Sequence, residues 1–289
     1  MSRMPELPEV ETIRRDLAKK ILRKKITRVE VKKARLIKSG VAEFQKIITG
    51  NRFKSINRIG KLLYLELPKD RWLLVHLKMT GQLIYQTGKK IIAGGHSYSS
   101  MDFILPGKYT YVIFTFAGGG QLFFNDMRTF GYMQLVDIAQ LKNILSTYGI
   151  EPLQKNFSLK NFRNALDKRK TSVKAVLLNQ KIFAGIGNIY ADEICFYAAV
   201  KPSRPVTSLT AIEIKKLRRG AEVIIKKSIQ ERGTTFNSFR DGEGKKGNFI
   251  KYLKVFQRNG QQCLRCRRGI IQKIRLAGRG THFCPHCQA

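Results

Sequence analysis

Acidic side chains are scarce in this chain, with 20 Asp and Glu against 55 Lys and Arg and a formal net charge of +35. Because the cations run along the whole sequence, the folded body itself must carry the positive field. A polyanion is the natural partner and nucleic acid the first candidate, although lysine-rich coding would account for part of the excess. Long apolar runs are missing as well. No stretch approaches the roughly 18 to 20 residues of a membrane span, and the start lacks the zones of a signal peptide. The expectation is a soluble, cytoplasmic protein with no membrane partner. Apart from Cys195, all the cysteine falls in the last 27 residues. That rules out a disulfide scaffold and favours a local metal site in a reducing compartment. No internal repeat is present.

What is present suffices for one large or two ordinary domains: 289 residues, 43% of them hydrophobic. A helix is expected from Pro5 to about Leu22. Short β-rich runs follow at Ile26–Val31, Phe53–Asn57, Leu62–Leu67, Leu73–Leu77, Leu83–Tyr85, Tyr109–Phe116, Gln121–Asn125 and Tyr132–Val136, with one helix near Val41–Ile48. Turns rich in Gly, Pro, Asn and Lys between them suggest an antiparallel sandwich or barrel. Beyond Gly149–Leu153 helical periodicity takes over, at Leu159–Leu166, Ser172–Leu178, Asn188–Ala198 and Leu209–Lys227. Residues 233–248 are rich in Gly, Lys and polar side chains and read as a mobile loop. The fold class expected is α+β.

Four segments carry chemistry. Cys263-Leu264-Arg265-Cys266 and Cys284-Pro285-His286-Cys287, 17 residues apart, have the spacing of a four-cysteine zinc ribbon. Four thiolates close the shell, so the Zn2+ would be structural, with His282 and His286 as bystanders and Cys195 a buried small residue. Between the knuckles, Gly278-Arg279-Gly280-Thr281 places an arginine among glycines at the tip or return of a hairpin, suited to phosphate but also to an ordinary basic turn. Gly185-Ile186-Gly187-Asn188 feeds a helix with Asn188 as its N-cap, which suits either an anion or a plain helix–helix turn. It is not a dinucleotide fingerprint, for no strand precedes it and the third glycine is missing. Finally, Met4-Pro5-Glu6-Leu7-Pro8-Glu9-Val10-Glu11 reads as a proline-capped acidic helix start. If Met4 is the initiator and is trimmed, Pro5 instead becomes a free secondary amine beside a carboxylic acid, a pair able to do covalent chemistry.

Taken together these segments, with Gly60-Lys61-Leu62-Leu63, His76-Leu77-Lys78-Met79-Thr80-Gly81 and Asn125-Asp126-Met127-Arg128-Thr129-Phe130-Gly131, resemble the formamidopyrimidine-DNA glycosylase family, related to endonuclease VIII, from Met4 to Gln288. The resemblance implies a base-excision-repair enzyme that removes oxidised purines (8-oxoguanine, formamidopyrimidines) and then cuts at the abasic site. Pro5 would attack the anomeric carbon, Glu6 would protonate the sugar ring oxygen, Lys61 would serve acid–base and phosphate work, and Arg279 would grip phosphates and assist the second elimination. Met79, Arg128 and Phe130 would fill the hole left by the everted nucleotide. Arg169, Lys170, Lys174 and Asn188 would hold the kinked backbone, and the loop at 233–248 would lie over the everted base.

The implied organisation is a catalytic β-sandwich with flanking helices over residues 5–137, a linker over 138–158, a helix-two-turns-helix DNA-binding domain with a lesion-capping loop over 159–250, and a zinc finger over 251–289. The partner implied is double-stranded DNA containing oxidised bases or abasic sites, bound by a monomer associated with a bacterial-type nucleoid. Three positions depart from the family's pattern. Tyr109 stands where a His-x-His phosphate contact is expected and would replace it in DNA binding, Lys78 stands where glycine is usual, and Met127 where proline is usual. Two other readings stay open at this point: the same lyase chemistry on oxidised pyrimidines, and a non-catalytic damaged-DNA binding protein with a blocked Pro5.

Overall fold

The computed structural model describes residues 4–88, 90–94, 105–234 and 248–289. The chain divides into two units, one of residues 1–146 with 231–248 and one of 147–230 with 249–289.

The first unit starts with helix α1, Leu7–Ile21. Leu7, Val10, Ile13, Leu17 and Ile21 recur every three or four positions and all are buried, the periodicity of one helix face. Pro8 sits in the first turn, where its missing N–H costs nothing, and Glu6 and Glu9 close a capping box. The strands are β1 (Ile26–Val31), β2 (Ile56–Ile59), β3 (Leu62–Glu66), β4 (Arg71–His76), β5 (Gly81–Thr87), β6 (Lys90–Gly94), β7 (Thr110–Phe116), β8 (Gly120–Asp126) and β9 (Tyr132–Asp137), with helices α2 (Val41–Ile48) and α3 (Ile138–Ser146). They form two antiparallel sheets, ordered β1-β7-β8-β5-β6 and β2-β3-β4-β9. Alternate residues such as Leu63, Leu65, Leu73, Val75, Leu83, Val112, Phe114 and Phe124 join α1 and α2 in one core.

Two elements lie outside the sequence expectation. β6 is one; α3 is the other, and it occupies the start of the stretch expected as linker. Asp137 and Gln140 cap α3 reciprocally, 2.8 and 3.0 Å; Ile138, Leu141 and Leu145 do recur at helical spacing, although only Leu141 is buried. Of the loop expected at 233–248, residues 235–247 lie outside the described residues. The chain just before them packs with the first unit: Arg232 pairs with Asp16 at 2.5 Å and the Thr234 N–H donates to Glu9 at 2.7 Å.

The second unit holds helices α4 (Leu159–Leu166), α5 (Val173–Leu178), α6 (Asn188–Ala198) and α7 (Ala211–Gln230), then a hairpin of β10 (Gln272–Leu276) and β11 (Arg279–Phe283). Ser158 and Ser172 cap α4 and α5 with their hydroxyls. Gly187, not Asn188 as expected, is the N-cap of α6; glycine takes the non-helical cap conformation, and Asn188 becomes the first helical residue. No helix among the described residues is long and apolar enough to cross a membrane.

One buried charge cluster fixes α1 against β2 and β3. Glu11 accepts from Arg14 and Arg15 at 2.8 and 2.7 Å and from Arg58 at 3.2 Å, while Arg58 donates to the Gly60 carbonyl at 3.0 Å. Burial alone would raise the Glu11 carboxyl, but the three arginines outweigh it and hold it at about 2, against an ordinary 4.5. A folded-state value below the unfolded one stabilises above pH 4.5, and that contribution is lost as pH falls towards 2. Glu11→Gln should therefore cost about 2–3 kcal/mol at neutral pH and nearly nothing near the acid limit. Urea unfolding of both proteins across that range checks it, and a pH-independent difference would refute the ion-pair origin.

Candidate functional site

In the first unit Pro5 and Glu6 are buried immediately ahead of α1. Glu6 is in extended conformation at the N-cap, its N–H donates to Glu9 at 3.0 Å, and its carbonyl accepts from Val10 at 3.0 Å. The second oxygen of Glu9 accepts from Thr234, and a side chain at Gly233 would press on that carboxylate, 2.8 Å from its Oε1. The segment bearing Pro5 is thus held rigidly by a helix cap that is itself clamped to the chain at 232–234. Sequence reasoning missed this role of Glu9, having credited it only with the helix dipole.

Lys61 is buried in the two-residue turn between β2 and β3, next to Gly60 with φ of +54°. β3 is paired so that Leu62 lies opposite His76. Burial, together with the charges of Lys78 and Lys61, lowers the His76 imidazole to about 3, so it is neutral at physiological pH. Its Nδ1 accepts the Lys78 N–H at 3.0 Å, which leaves Nε2 to carry the proton and act as a donor. His76 appeared in the sequence only as part of a motif. Its ring is fixed by that backbone bond and lies beside Lys61.

Two short turns lie side by side at one end of the sandwich, between β4 and β5 and between β8 and β9. They present Met79, Arg128 and Phe130. The Arg128 guanidinium stacks on the Phe130 ring at 4.6 Å and its Nη1 is 3.4 Å from the Met79 sulfur. Phe130 is 52% exposed although nothing in the turn requires an aromatic there. An exposed phenyl ring backed by a planar cation and a thioether is a surface made for stacking. Lys78, which stands where glycine is usual, takes φ of +50°, the left-handed region that glycine enters at no steric cost. Tyr109 is half-buried close by, and its carbonyl accepts from the Asp126 N–H at 3.0 Å.

In the second unit the turn before α6 is built on Gly185, with φ of +89°, and is stapled by Gln180, which accepts the Gly185 N–H at 2.9 Å and donates to the Ile186 carbonyl at 2.8 Å. Asn188 donates to the Gly280 carbonyl of the hairpin at 3.1 Å. Arg169 and Lys170 are exposed, as a phosphate contact requires. Lys174 is not. The backbone contact expected of it is corrected: its side chain is 0% exposed, paired with Asp192 at 2.6 Å and donating to Thr281 Oγ1 at 2.8 Å and the Gly280 carbonyl at 3.1 Å. Asp192 also accepts the His282 N–H at 2.8 Å. The neighbouring Glu193, whose carboxyl is pushed up by burial against the pull of three backbone donors, accepts from Lys254, Val255 and Phe256. Lys174 and Asp192 therefore position the hairpin, and Glu193 holds the segment at residues 254–256 ahead of it.

At the hairpin tip Ala277 and Gly278 both have positive φ, +48° and +70°, the two-residue turn that matches strand twist. Arg279 follows at once and is exposed. At its base Cys263 and Cys287 lie 3.8 Å apart between sulfurs, as do Cys266 and Cys284, with all four sulfurs within 4.8 Å of one another. A zinc tetrahedron with Zn–S bonds of about 2.3 Å has edges of about 3.8 Å, and disulfides would need about 2.05 Å. The donor set fits one structural Zn2+, and His282 is engaged with Asp192. Cys195 is buried, and burial pushes its thiol up, as expected of an inert core residue.

Comparison with known proteins agrees along the chain. Residues 4–133 match the formamidopyrimidine-DNA glycosylase N-terminal domain, 148–240 its H2TH domain, and 260–289 the zinc finger found in FPG and IleRS. The formamidopyrimidine-DNA glycosylases of Carboxydothermus hydrogenoformans and Pelotomaculum thermopropionicum are 41% and 39% identical, over 99% of this chain and at least 99% of each relative. Among solved structures, Lactococcus lactis Fpg in complex with an abasic-site DNA superposes with a TM-score of 0.86 at 34% identity, covering 98% of this chain and 99% of the other. A mutant of that protein in complex with Fapy-dG DNA gives 0.87, with the same identity and coverage.

Proposed function

The chain belongs to the formamidopyrimidine-DNA glycosylase family, and from that premise we propose how its own residues carry the reaction. The protein is a base-excision-repair glycosylase and abasic-site lyase, acting on double-stranded DNA with oxidised purines or abasic sites. Its first unit supplies the chemistry. With Met4 removed, the Pro5 nitrogen forms a bond to the anomeric carbon while the damaged base leaves, and Glu6 protonates the ring oxygen so that the sugar opens to an iminium. Lys61, with the neutral His76 as a fixed donor, serves proton transfer and phosphate binding. Loss of the 3′ and then the 5′ phosphate breaks the strand on both sides of the sugar.

The observation that carries this reading is the Met79, Arg128 and Phe130 cluster. An enzyme that acts on a base inside a duplex must extract it and fill the gap; a solvent-facing aromatic with an attached cation has no use inside the sandwich itself. Tyr109 adds a polar contact to the same end of this unit. From the second unit, Arg169, Lys170 and Asn188 grip backbone phosphates and Arg279 adds a charged fork beside the lesion. With its structural zinc in place, this is a monomeric DNA enzyme of the nucleoid.

Substrate preference is tested with matched duplexes carrying 8-oxoguanine or thymine glycol. Faster excision of 8-oxoguanine by about tenfold or more in kcat/KM is the expected result; equal or reversed rates would move the protein to oxidised pyrimidines.

A further inference from the structure

We propose that Asp126 and Thr80 are positioning residues that lock the stacking cluster in one arrangement before DNA arrives; this rests on reading Met79, Arg128 and Phe130 as the gap-filling wedge. The two turns that carry the wedge both cross from one sheet to the other. They are framed by paired residues, Gly81 opposite Asp126 in one sheet and His76 opposite Tyr132 in the other. Register alone fixes the ends of each turn but not one turn against its neighbour.

Asp126 makes that connection. It is fully buried, and its Oδ1 accepts the Thr80 hydroxyl from the Met79 turn and the Arg128 N–H at 3.3 Å from its own. Its Oδ2 accepts the Gly131 N–H at 2.7 Å. The Thr80 oxygen in turn accepts the Arg128 N–H at 3.0 Å. Thr80 therefore uses its hydroxyl as donor and acceptor at once, and the Arg128 backbone is shared between the two side chains. A Cβ on Gly131 would lie 3.0 Å from Asp126 Oδ2 and 2.8 Å from Phe124, so the knot also requires glycine there.

The consequence is for eversion. A wedge of long side chains that must be ordered at the moment of binding spends interaction energy on its own immobilisation. Held from beneath by a buried network, Arg128 and Phe130 meet the base stack already set, which is what a residue pair displacing a paired base needs. Neither Asp126 nor Thr80 reaches the reacting atoms, and the chemistry at Pro5 does not depend on them.

The test separates eversion from chemistry in the full-length protein. Thr80→Val keeps the shape and removes both hydrogen bonds; Asp126→Asn turns one acceptor into a donor facing an N–H. Each should lower kcat/KM on a duplex with 8-oxoguanine paired to cytosine by about tenfold or more, the scale of one buried hydrogen bond. Borohydride trapping on a single-stranded abasic oligonucleotide, which has no base to displace, should stay within about twofold. Thr80→Ser should restore duplex excision. Arg128→Ala and Phe130→Ala serve as references: parent-like excision by both would overturn the wedge reading itself. Loss in those two with parent-like Thr80→Val and Asp126→Asn would overturn the positioning role alone. Equal loss on both substrates in the Thr80 and Asp126 variants would show general destabilisation and overturn it too.

Discussion

Protein with an acylated Pro5 nitrogen, as when Met4 is retained, is expected to excise no base and to give no borohydride-trapped adduct, while still binding abasic-site DNA. The reason is elementary. An α-amine titrates at about 8, against about 10 for lysine, so a useful fraction is unprotonated at neutral pH; an amide nitrogen has no available lone pair. The secondary amine of proline passes directly to an iminium with no N–H proton to lose, so the adduct stays cationic. The family match begins at residue 4, with Met1, Ser2 and Arg3 ahead of it.

Three measurements close the question. The intact mass of active native protein should correspond to a chain starting at Pro5, the trapped adduct should map to that residue, and Pro5→Gly or Glu6→Gln should lower excision by about a thousandfold or more with abasic-site affinity retained. Full activity in protein that keeps Met1 or Met4, or an adduct on a lysine, would remove Pro5 from the mechanism.

Why the helix start that bears Pro5 was legible in sequence, and its supports were not, follows from range. The α1 face repeats within one helix, so Leu7 to Ile21 could be read directly, as could α2, β1 and the zinc knuckles, where spacing is the signal. Glu9 looks like a helix-dipole residue because its partners, Glu6 N–H and Thr234 N–H, include one that is distant in the chain. Asp126 appears in the sequence only inside the Asn125–Gly131 motif, and only the side-by-side crossing of two turns gives it Thr80. Lys174 misled for the same reason. The family resemblance gives it a backbone-holding role beside Arg169 and Lys170, and nothing local announces that its partner Thr281 lies 107 residues on. Conversely α3 goes unread in the sequence although Ile138, Leu141 and Leu145 recur at helical spacing behind a good cap, and only Leu141 of them is buried.

Removing the zinc is expected to have the second large effect, on DNA binding more than on chemistry. The metal is one of several supports of the finger: β10 is mostly exposed, the apolar contacts are Phe196, Val255 and Ile271 around the buried Cys263 and Cys284, and β11 is bonded by Lys174, Asn188 and Asp192. Against this, structural zinc contributes an apparent binding energy of about 10–16 kcal/mol in small finger peptides, and that energy is folding energy. Without it the Ala277-Gly278 turn loses its foundation and Arg279 its fixed place, even though Lys174 and Asn188 still offer hydrogen bonds to Gly280. Chelated protein, or Cys284→Ser, should bind duplex DNA with an abasic-site analogue at least about a hundredfold more weakly. Arg279→Ala with zinc retained should account for only part of that loss, because the rest comes from disorder of the hairpin backbone. Cys195→Ser should retain one zinc per chain, since that thiol is buried apart from the four ligands. Zinc-free protein of unchanged affinity would mean that the hairpin stands on the Lys174 and Asp192 network alone, and the metal would then lose its part in DNA recognition.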